Sequence, residues 1–384
     1  MARIVIAGSG FGGLTAALQL KKRLKNSNHR ITVLAKDNQF VYRPSLVLVA
    51  FGKKSPKSIT FNLETLYAKS GIEFLPTTIE SFDVEAKAVN TKTGPVFYDK
   101  LIVALGEKLQ YEEIPGLREY GYNVCSIEGA LALRSALEHF DGGPIVVGWS
   151  QFVQTGGPAF EVALELEEWL KRHDLPGSIQ FIDPLPKLWA PAGPEATEFL
   201  TALFAERKIS RMGPVQVKEV KADRVILKDG TELPSKLTIL TPPFRGEDAQ
   251  SSLANGHSRD WLETGKDMRS VHYPDIYVVG SAVAFEGPKQ AHTAMLQAET
   301  AAHNLSLEVN QSSAPRKEYD HEMSCVLDLG NGQGLFVRRS LWNDQHQVVR
   351  TGRRWPMAKS ALAYSFVHTP IFKKWGVPMS KINP

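Results

Sequence analysis

The 384-residue chain holds only two cysteines, Cys125 and Cys325, too few for a disulfide-stapled scaffold. It offers no close Cys or His pairing for a zinc ribbon or finger, so no metal site is expected. It lacks any run approaching the roughly 18 to 20 uninterrupted apolar residues of a membrane-spanning helix. It has little net charge: 45 basic residues against 41 acids leave +4 at pH 7, too small an excess to make nucleic acid a partner. The opening Met1-Ala2-Arg3-Ile4-Val5-Ile6 shows no charged leader, long apolar stretch or cleavage site, so a cytoplasmic start without a signal peptide is expected. With 43% apolar and 22% charged residues the composition is globular, and the length suits about two domains.

The charge is unevenly placed. From Phe336 to the end there are nine basic residues (Arg338, Arg339, Arg350, Arg353, Arg354, Lys359, Lys373, Lys374 and Lys381) against the single acid Asp344. The same stretch carries Trp342, Trp355, Tyr364, Phe366, Phe372 and Trp375. Basic and aromatic residues together read as a surface for anionic lipid, hence peripheral attachment on the cytoplasmic side of a membrane.

The first firm motif is the strand Arg3-Ile4-Val5-Ile6-Ala7 running into Gly8-Ser9-Gly10-Phe11-Gly12-Gly13, with Leu14, Ala17 and Leu18 following at helical spacing. Gly8 allows the tight turn, Gly10 lets backbone approach a pyrophosphate, and Gly13 lets helix pack on strand. Placed between a strand and a helix, the pattern points to dinucleotide binding rather than an ordinary glycine turn. A second strand, Ile31-Thr32-Val33-Leu34, follows, but Ala35 and Lys36 occupy its tip where an acid for the ribose hydroxyls is expected. Three readings stay open here: Asp37 reaching back, Lys36 serving instead, or Asp37 as a solvated loop acid.

Two later strands also end in small-residue turns, Tyr98 to Gly106 through Ala104, and Asp275 to Gly280-Ser281. This set resembles the two-dinucleotide-domain flavoproteins, in which all three elements cradle FAD; that resemblance implies cofactor contacts at Ala104, Gly106, Gly280 and Ser281. Ser281 stands where the family usually has an Asp for the ribityl chain. A second strand-to-helix start, Gly143 to Gly148, looks like an internal duplication, but Trp149, Ser150 and Gln151 crowd its turn. It reads as a dinucleotide fold that has lost its dinucleotide. The expected fold class is α/β, with two Rossmann-like dinucleotide-binding domains and a C-terminal membrane-associating segment. The expected boundaries are 1–107 with 255–320 for FAD, 108–254 for the second Rossmann-like domain, and 321–384 for a quinone and membrane module.

At this level the chain resembles the sulfide:quinone oxidoreductases, with flavocytochrome c sulfide dehydrogenases as cousins. The resemblance covers the FAD fingerprint, Phe40 through Arg43-Pro44-Ser45, Asn123 to Ile127, Gly156 to Glu161, Leu203 to Arg207, Pro288-Lys289, Ala301 to Asn304, Ser324 to Gly330 and the basic-aromatic C-terminus. It implies FAD as cofactor, Arg43 beside it, sulfide or a related sulfur donor, and a membrane quinone as acceptor. It implies that Cys325 is a redox cysteine and that Cys125 matches one that some members bond to the flavin. It implies Lys289 at the flavin's N1/O2 edge, where a cation stabilises reduced charge, and Glu161 as a proton-transfer carboxylate.

Several positions depart from the family. Its second redox cysteine is replaced by Thr155, Gly129 stands where a histidine is common, and Leu362 occupies an aromatic position of the quinone sandwich, so Tyr364 or Phe366 would have to substitute. From the residues alone, both cysteines are equally readable as buried apolar side chains, Lys289 as a loop lysine, Glu161 as an acid favoured by a helix dipole, and the C-terminal helix as a cover. Leu362, Phe366 and Ala358 are expected to share one helical face. Two other functions stay open, a type II NADH:quinone reductase and a non-catalytic redox-sensing flavoprotein. A homo-oligomer is neither required nor excluded.

Overall fold

A computed structural model describes residues 1–343 and 347–368. The amphipathic patch Ile371-Phe372-Lys373-Lys374-Trp375 lies outside the described residues.

The N-terminal portion forms β1 (Arg3–Ala7), α1 (Phe11–Arg23), β2 (Arg30–Ala35), β3 (Glu73–Pro76) and β4 (Lys100–Val103). The middle portion follows with β5 (Gly121–Tyr122), α2 (Ile127–Glu138), β6 (Gly143–Trp149), α3 (Gly157–Arg172), β7 (Gly177–Ile182), α4 (Pro194–Glu206), β8 (Ser210–Met212) and β9 (Leu237–Thr241). The chain then adds β10 (Ile276–Val278), α5 (Ala291–Val309), β11 (Glu322–Asp328), β12 (Gly334–Ser340), β13 (Gln347–Gly352) and α6 (Arg354–His368).

Two parallel sheets result. The first has the order β10-β4-β1-β2-β3, with Ile6 opposite both Val33 and Ile102. The second has the order β5-β9-β6-β7-β8. Both read as continuous β-branched runs because helices or a hairpin sheet cover both of their faces. In the first, Ile4, Ile6, Val33, Ile102 and Val103 are fully buried, each worth about 1.5–3 kcal/mol of burial. Helices α1 and α5 pack over it. In the second, Val146, Ile182 and Leu240 bury against Val217, Val220, Val225 and Leu227 of a small antiparallel sheet, while Phe160, Phe181 and Phe204 stack on the other side.

Strands β11, β12 and β13 form an antiparallel sheet with Cys325 opposite Val337. Helix α6 packs on it and reaches back to the first portion of the chain. Along α6, Ala358, Leu362 and Phe366 lie at i, i+4 and i+8 and share a face, but burial of the helix does not follow that face. Its buried stripe is Trp355, Ala363, Phe366 and Val367, whereas Ala358 is exposed and Leu362 half-buried. The reason is the i, i+4 and i+8 spacing from Trp355, which carries the larger apolar surface.

Candidate functional site

The glycine turn after β1 leaves room only where a dinucleotide needs it. Gly8 has φ +107°, and a Cβ there would lie 2.3 Å from the Ala104 carbonyl oxygen. At Gly13 a Cβ would lie 2.0 Å from the Gly8 carbonyl oxygen, so strand, turn and helix are held together by the absence of side chains. Gly10, by contrast, is exposed and nothing lies within 4 Å of its Cβ position. It caps α1 without any side-chain hydrogen bond, leaving the first-turn N–H groups and the helix dipole open to an anion. Gly106 (φ +86°) also faces open space, and Gly280 (φ +76°) meets only the Ala294 Cβ at 3.6 Å. The residues therefore fit a dinucleotide such as FAD, with an open cradle at Gly10, Gly106 and Gly280. Gly12 packs under this cradle, on Val279, and Ser281 lies in the short turn that follows β10. Ala35 is buried at the end of β2, and Lys36 and Asp37 are exposed beyond it. Phe11, next to Gly10, carries its ring into a box with Phe40 and Tyr42, closed by Phe366 of α6 at ring-centre distances of 5.3, 5.3 and 5.4 Å to Phe11, Phe40 and Tyr42.

The corresponding turn after β6 is closed. Trp149 is buried against Phe160 and Phe181, and a Cβ on Gly156 would come within 2.7 Å of its ring. The Gln151 side chain spans the gap to the hairpin sheet, donating to the Val217 carbonyl and accepting from the Val217 N–H, both at 3.1 Å. At the tip of β7, Asp183 is fully buried, the place where a ribose acid would sit. It is occupied by Arg211, whose guanidinium donates to both carboxylate oxygens at 2.7 and 3.0 Å. The ground a pyrophosphate would approach is taken up by Trp149 and Gln151, and the acid is already paired.

The predicted chemical residues fall into two groups. The first surrounds Cys125, which precedes α2. Arg43 donates to Glu107 at 2.6 Å, and the Cys125 backbone N–H donates to Asn123 Oδ1 at 3.0 Å. Burial pushes the Cys125 thiol up to about 12, against the pull of Arg43 and a hydrogen bond with Thr241. A Cβ at Gly129, in the first turn of α2, would meet the Asn123 carbonyl oxygen at 2.8 Å, so a histidine has no space there. Lys289 belongs near this group: its ammonium donates to the Val283 carbonyl at 2.5 Å and lies 4.3 Å from the Trp261 ring centre. Thr155, in the missing cysteine's position, donates its hydroxyl to the Lys289 carbonyl at 2.5 Å.

Burial lowers the Lys289 ammonium to about 7, only partly opposed by Glu107. Its ordinary value is 10.5, so between about pH 7 and 10.5 the unfolded chain binds a proton that the folded chain does not. The stability of the flavin-free protein is therefore expected to rise with pH across that window, by up to about 1.4 kcal/mol per pH unit from this group. Below the window the cost of the buried charge is fully present. Lys289→Met should remove this contribution to the slope, as read by urea unfolding at several pH values; an unchanged slope would place the titration elsewhere.

The second group surrounds Cys325 on β11. Its Sγ lies 3.8 Å from the Cβ position of Gly157 at the start of α3. One turn along α3, Glu161 is buried, accepts the Asp328 backbone N–H at 2.7 Å, and is ion-paired with Lys359 of α6. Burial raises Glu161 while Lys359 and the Asp328 N–H pull it down, with a net upward shift. Burial and the Glu161 carboxylate push the Cys325 thiol up to about 12, opposed by Lys359. Both cysteines are free. Lys359 escaped the sequence reading because it was counted with the solvated charges of the tail. Its spacing from Trp355 and Ala363, four residues each way, put it on the buried stripe and was the signal to use. The three quinone candidates separate: Phe366 points into the aromatic box, Leu362 is half-buried, and Tyr364 is 63% exposed beside His368.

Comparison with known proteins bears on this arrangement. The family model for pyridine nucleotide-disulphide oxidoreductases matches residues 2–298. A sulfide-quinone reductase of Aquifex aeolicus is 27% identical over 92% of this chain and 87% of its own length. A type II NADH:quinone oxidoreductase of Staphylococcus haemolyticus is 23% identical over 88% of this chain and 90% of its own. The X-ray structure of the sulfide:quinone oxidoreductase from Aquifex aeolicus superposes with a TM-score of 0.92 at 25% identity, covering 98% of this chain and 92% of that one. The NADH complex of NDH2 from Plasmodium falciparum shares the fold, at a TM-score of 0.72 and 17% identity, over 98% and 99% of the two chains. With an open glycine cradle, a parallel sheet behind it and a matching family model over most of its length, the chain belongs to the pyridine nucleotide-disulphide oxidoreductase family and is an FAD-dependent oxidoreductase.

Proposed function

We propose that the protein is an oxidoreductase of the sulfide:quinone type, passing two electrons from sulfide or a related sulfur donor through FAD to a membrane quinone. The observation that carries this reading is the closed second turn: Trp149, Gln151 and the Asp183–Arg211 pair fill the ground that NAD(P)H would need, while a free thiol stands at the start of the adjoining helix. The similarity to the Aquifex aeolicus sulfide-quinone reductase over nearly the whole chain supports it.

FAD, when bound, accepts an electron pair from one partner and yields it to another. The chain's own residues supply the rest. Gly10, on a turn shaped by the close packing of Gly8, Gly12 and Gly13, would hold the pyrophosphate by backbone, with Phe11, Ala35, Lys36, Arg43, Ala104, Gly106, Gly280 and Ser281 around the cofactor. Lys289 would supply a cation beside it once the negative charge of the reduced cofactor offsets the burial that lowers its ammonium to about 7. Cys325 Sγ takes the donor's sulfur into an S–S bond, thiol and hydrosulfide giving a persulfide, one proton and two electrons, and it is these two electrons that the bound cofactor would accept and pass to quinone. With a threonine hydroxyl at 155, the position matched to the family's second redox cysteine has no sulfur to receive that atom, and Cys125 belongs to the other group, so a second sulfide or a small thiol carries it away. The balance is hydrosulfide, a proton and quinone giving zero-valent sulfur and quinol. Glu161, paired with Lys359, handles protons, and Phe366 with Leu362 lines the quinone approach. The basic-aromatic C-terminal region, with Met357 and Tyr364 exposed on α6, rests on the cytoplasmic face of the membrane. No helix among the described residues is long and apolar enough to cross one. The domain division 1–107 with 255–320, 108–254, and 321–384 belongs to the same proposal.

The test is an anaerobic titration of the purified protein with sulfide, following flavin absorbance, then addition of a short-chain quinone. Bleaching by sulfide and recovery on quinone are expected, with NADH leaving the spectrum unchanged. Bleaching by NADH instead would establish the type II NADH reductase reading. No response to either donor would leave a non-catalytic flavoprotein.

A further inference from the structure

Helix α3 carries Glu161, Glu165 and Glu168 at i, i+4 and i+7, one face of a helix. The face is covered by protein, and it opens gradually toward water. Side-chain exposure is 6% at Glu161, 2% at Glu165, 19% at Glu168 and 52% at Arg172, which pairs with Glu168 at 2.7 Å. The turn between β11 and β12 lies along the row: the Asp328 N–H donates to Glu161 at 2.7 Å and the Asn331 N–H donates to Glu168 at 3.0 Å. Lys359 pairs with Glu161 at the inner end, and Lys53 pairs with Glu165 at 2.6 Å in the middle. The inner end is the Cys325 and Lys359 cluster described above, and the outer end is solvent.

We propose that this row is the route by which protons enter from water to Glu161, with Glu165 as its relay group and Glu168 at its mouth. The inference rests on the quinone half of the proposed reaction and not on the identity of the electron donor. Each quinone that takes an electron pair also takes two protons at its oxygens. A proton leaving Glu161 is replaced through Glu165, which is refilled from water past Glu168, so the row ends each cycle unchanged. A buried site fed from a membrane on one side needs such a path, because water cannot follow an apolar quinone into it.

The local electrostatics agree. Burial raises both Glu161 and Glu165 above the usual carboxylate range, with the Asp328 carboxylate adding to each. The opposing cations are Lys359 and Lys53, and Glu168 adds to the upward push on Glu165. Glu168 itself is held below its ordinary value, its burial outweighed by the Asn331 N–H, Lys53 and Arg172, so the outer end of the row stays ionised where it meets water. Carboxyls shifted toward neutral pH can both take and return a proton, which an ordinary surface carboxylate does poorly.

The experiment uses the holoenzyme reduced with dithionite, freed of excess reductant and mixed with a short-chain quinone and a pH-indicator dye, so that the sulfide step is bypassed. Wild-type protein should take up protons in step with quinol formation. Glu165→Gln should slow both by on the order of 10²-fold without changing quinone affinity, formate should restore the rate, and Glu165→Asp should retain it. In the oxidised holoenzyme, without turnover, Glu165→Gln should also remove or shift a protonated-carboxyl infrared band. Glu167→Gln is the control, since Glu167 is a carboxylate of similar burial on another face of α3, paired with Arg207 and Lys171. Equal slowing in Glu167→Gln, full speed in Glu165→Gln, or an unchanged infrared band would reduce the row to a set of ion pairs pinning α3. Reduced wild-type protein that quinone fails to reoxidise would overturn the quinone reading itself, a result distinct from any of these.

Discussion

Cys325→Ser is expected to lower sulfide-dependent quinone reduction by on the order of 10³-fold or more while the purified protein keeps its flavin. Serine preserves the shape of the side chain, and Cys325 lies on β11 opposite Val337, away from the glycine cradle, so cofactor retention should not change. What is lost is chemistry. An oxygen cannot take a second sulfur into a bond that later releases it, and on the proposed reading Thr155 supplies no partner sulfur. The thiol's surroundings set its reactivity. Burial and Glu161 favour the neutral thiol, pushed up to about 12, whereas Lys359 favours the thiolate. The resting group is therefore protonated, and its activation depends on how Lys359 is shared between Glu161 and Cys325. The measurement is steady-state quinone reduction with sulfide, alongside the visible spectrum of the same sample. Undiminished turnover would remove Cys325 from the mechanism. A comparable loss in Cys125→Ser alone would move the sulfur chemistry to the other cluster, near Arg43 and Glu107.

The parts of the molecule legible in the sequence are those where local pattern and tertiary role coincide. The run Arg3–Ala7 is a continuous β-branched strand followed by glycines, and such a run is read alike from sequence and from a sheet covered on both faces. The crowding at Trp149 was legible for the same reason, since an indole next to a turn glycine excludes a ligand wherever the sheet lies. What was not legible were pairings made across long separations. Glu161 and Lys359 lie 198 residues apart, and nothing in either segment names its partner. The same holds for Asp328 over Glu161, and for Lys53 over Glu165. Which face of helix α6 is buried was not legible for a related reason: Ala358, Leu362 and Phe366 form a stripe, but the stripe through Trp355 and Ala363 is the more buried, and only the β11–β13 sheet decides between them.

The largest structural effect is expected at Gly13. A methyl group there would sit 2.0 Å from the Gly8 carbonyl oxygen and 2.8 Å from its carbon, and both neighbours are backbone. Neither can rotate away, so α1 must lift off β1 or the turn must change shape. Gly13→Ala should cost about 3 kcal/mol or more of stability and yield protein without flavin. By itself that result would not distinguish a cofactor cradle from a tightly packed turn, and Gly10 supplies the distinction. Gly10 has φ −72° and ψ −163°, an extended conformation that valine adopts readily, and its Cβ position is open. As an N-cap, Gly10→Val should cost the flavin-free protein only about 1 kcal/mol. If a pyrophosphate lies over that backbone, the valine occupies the same space, and FAD affinity should fall by on the order of 10²-fold, about 2.7 kcal/mol. Unfolding of the flavin-free proteins gives the first quantity, and FAD titration followed by fluorescence gives the second. Loss of FAD affinity in Gly10→Val with the fold intact assigns the cradle by its ligand rather than by its packing. Wild-type affinity in Gly10→Val would mean that the phosphates lie elsewhere, and Gly13 would then be a packing glycine alone.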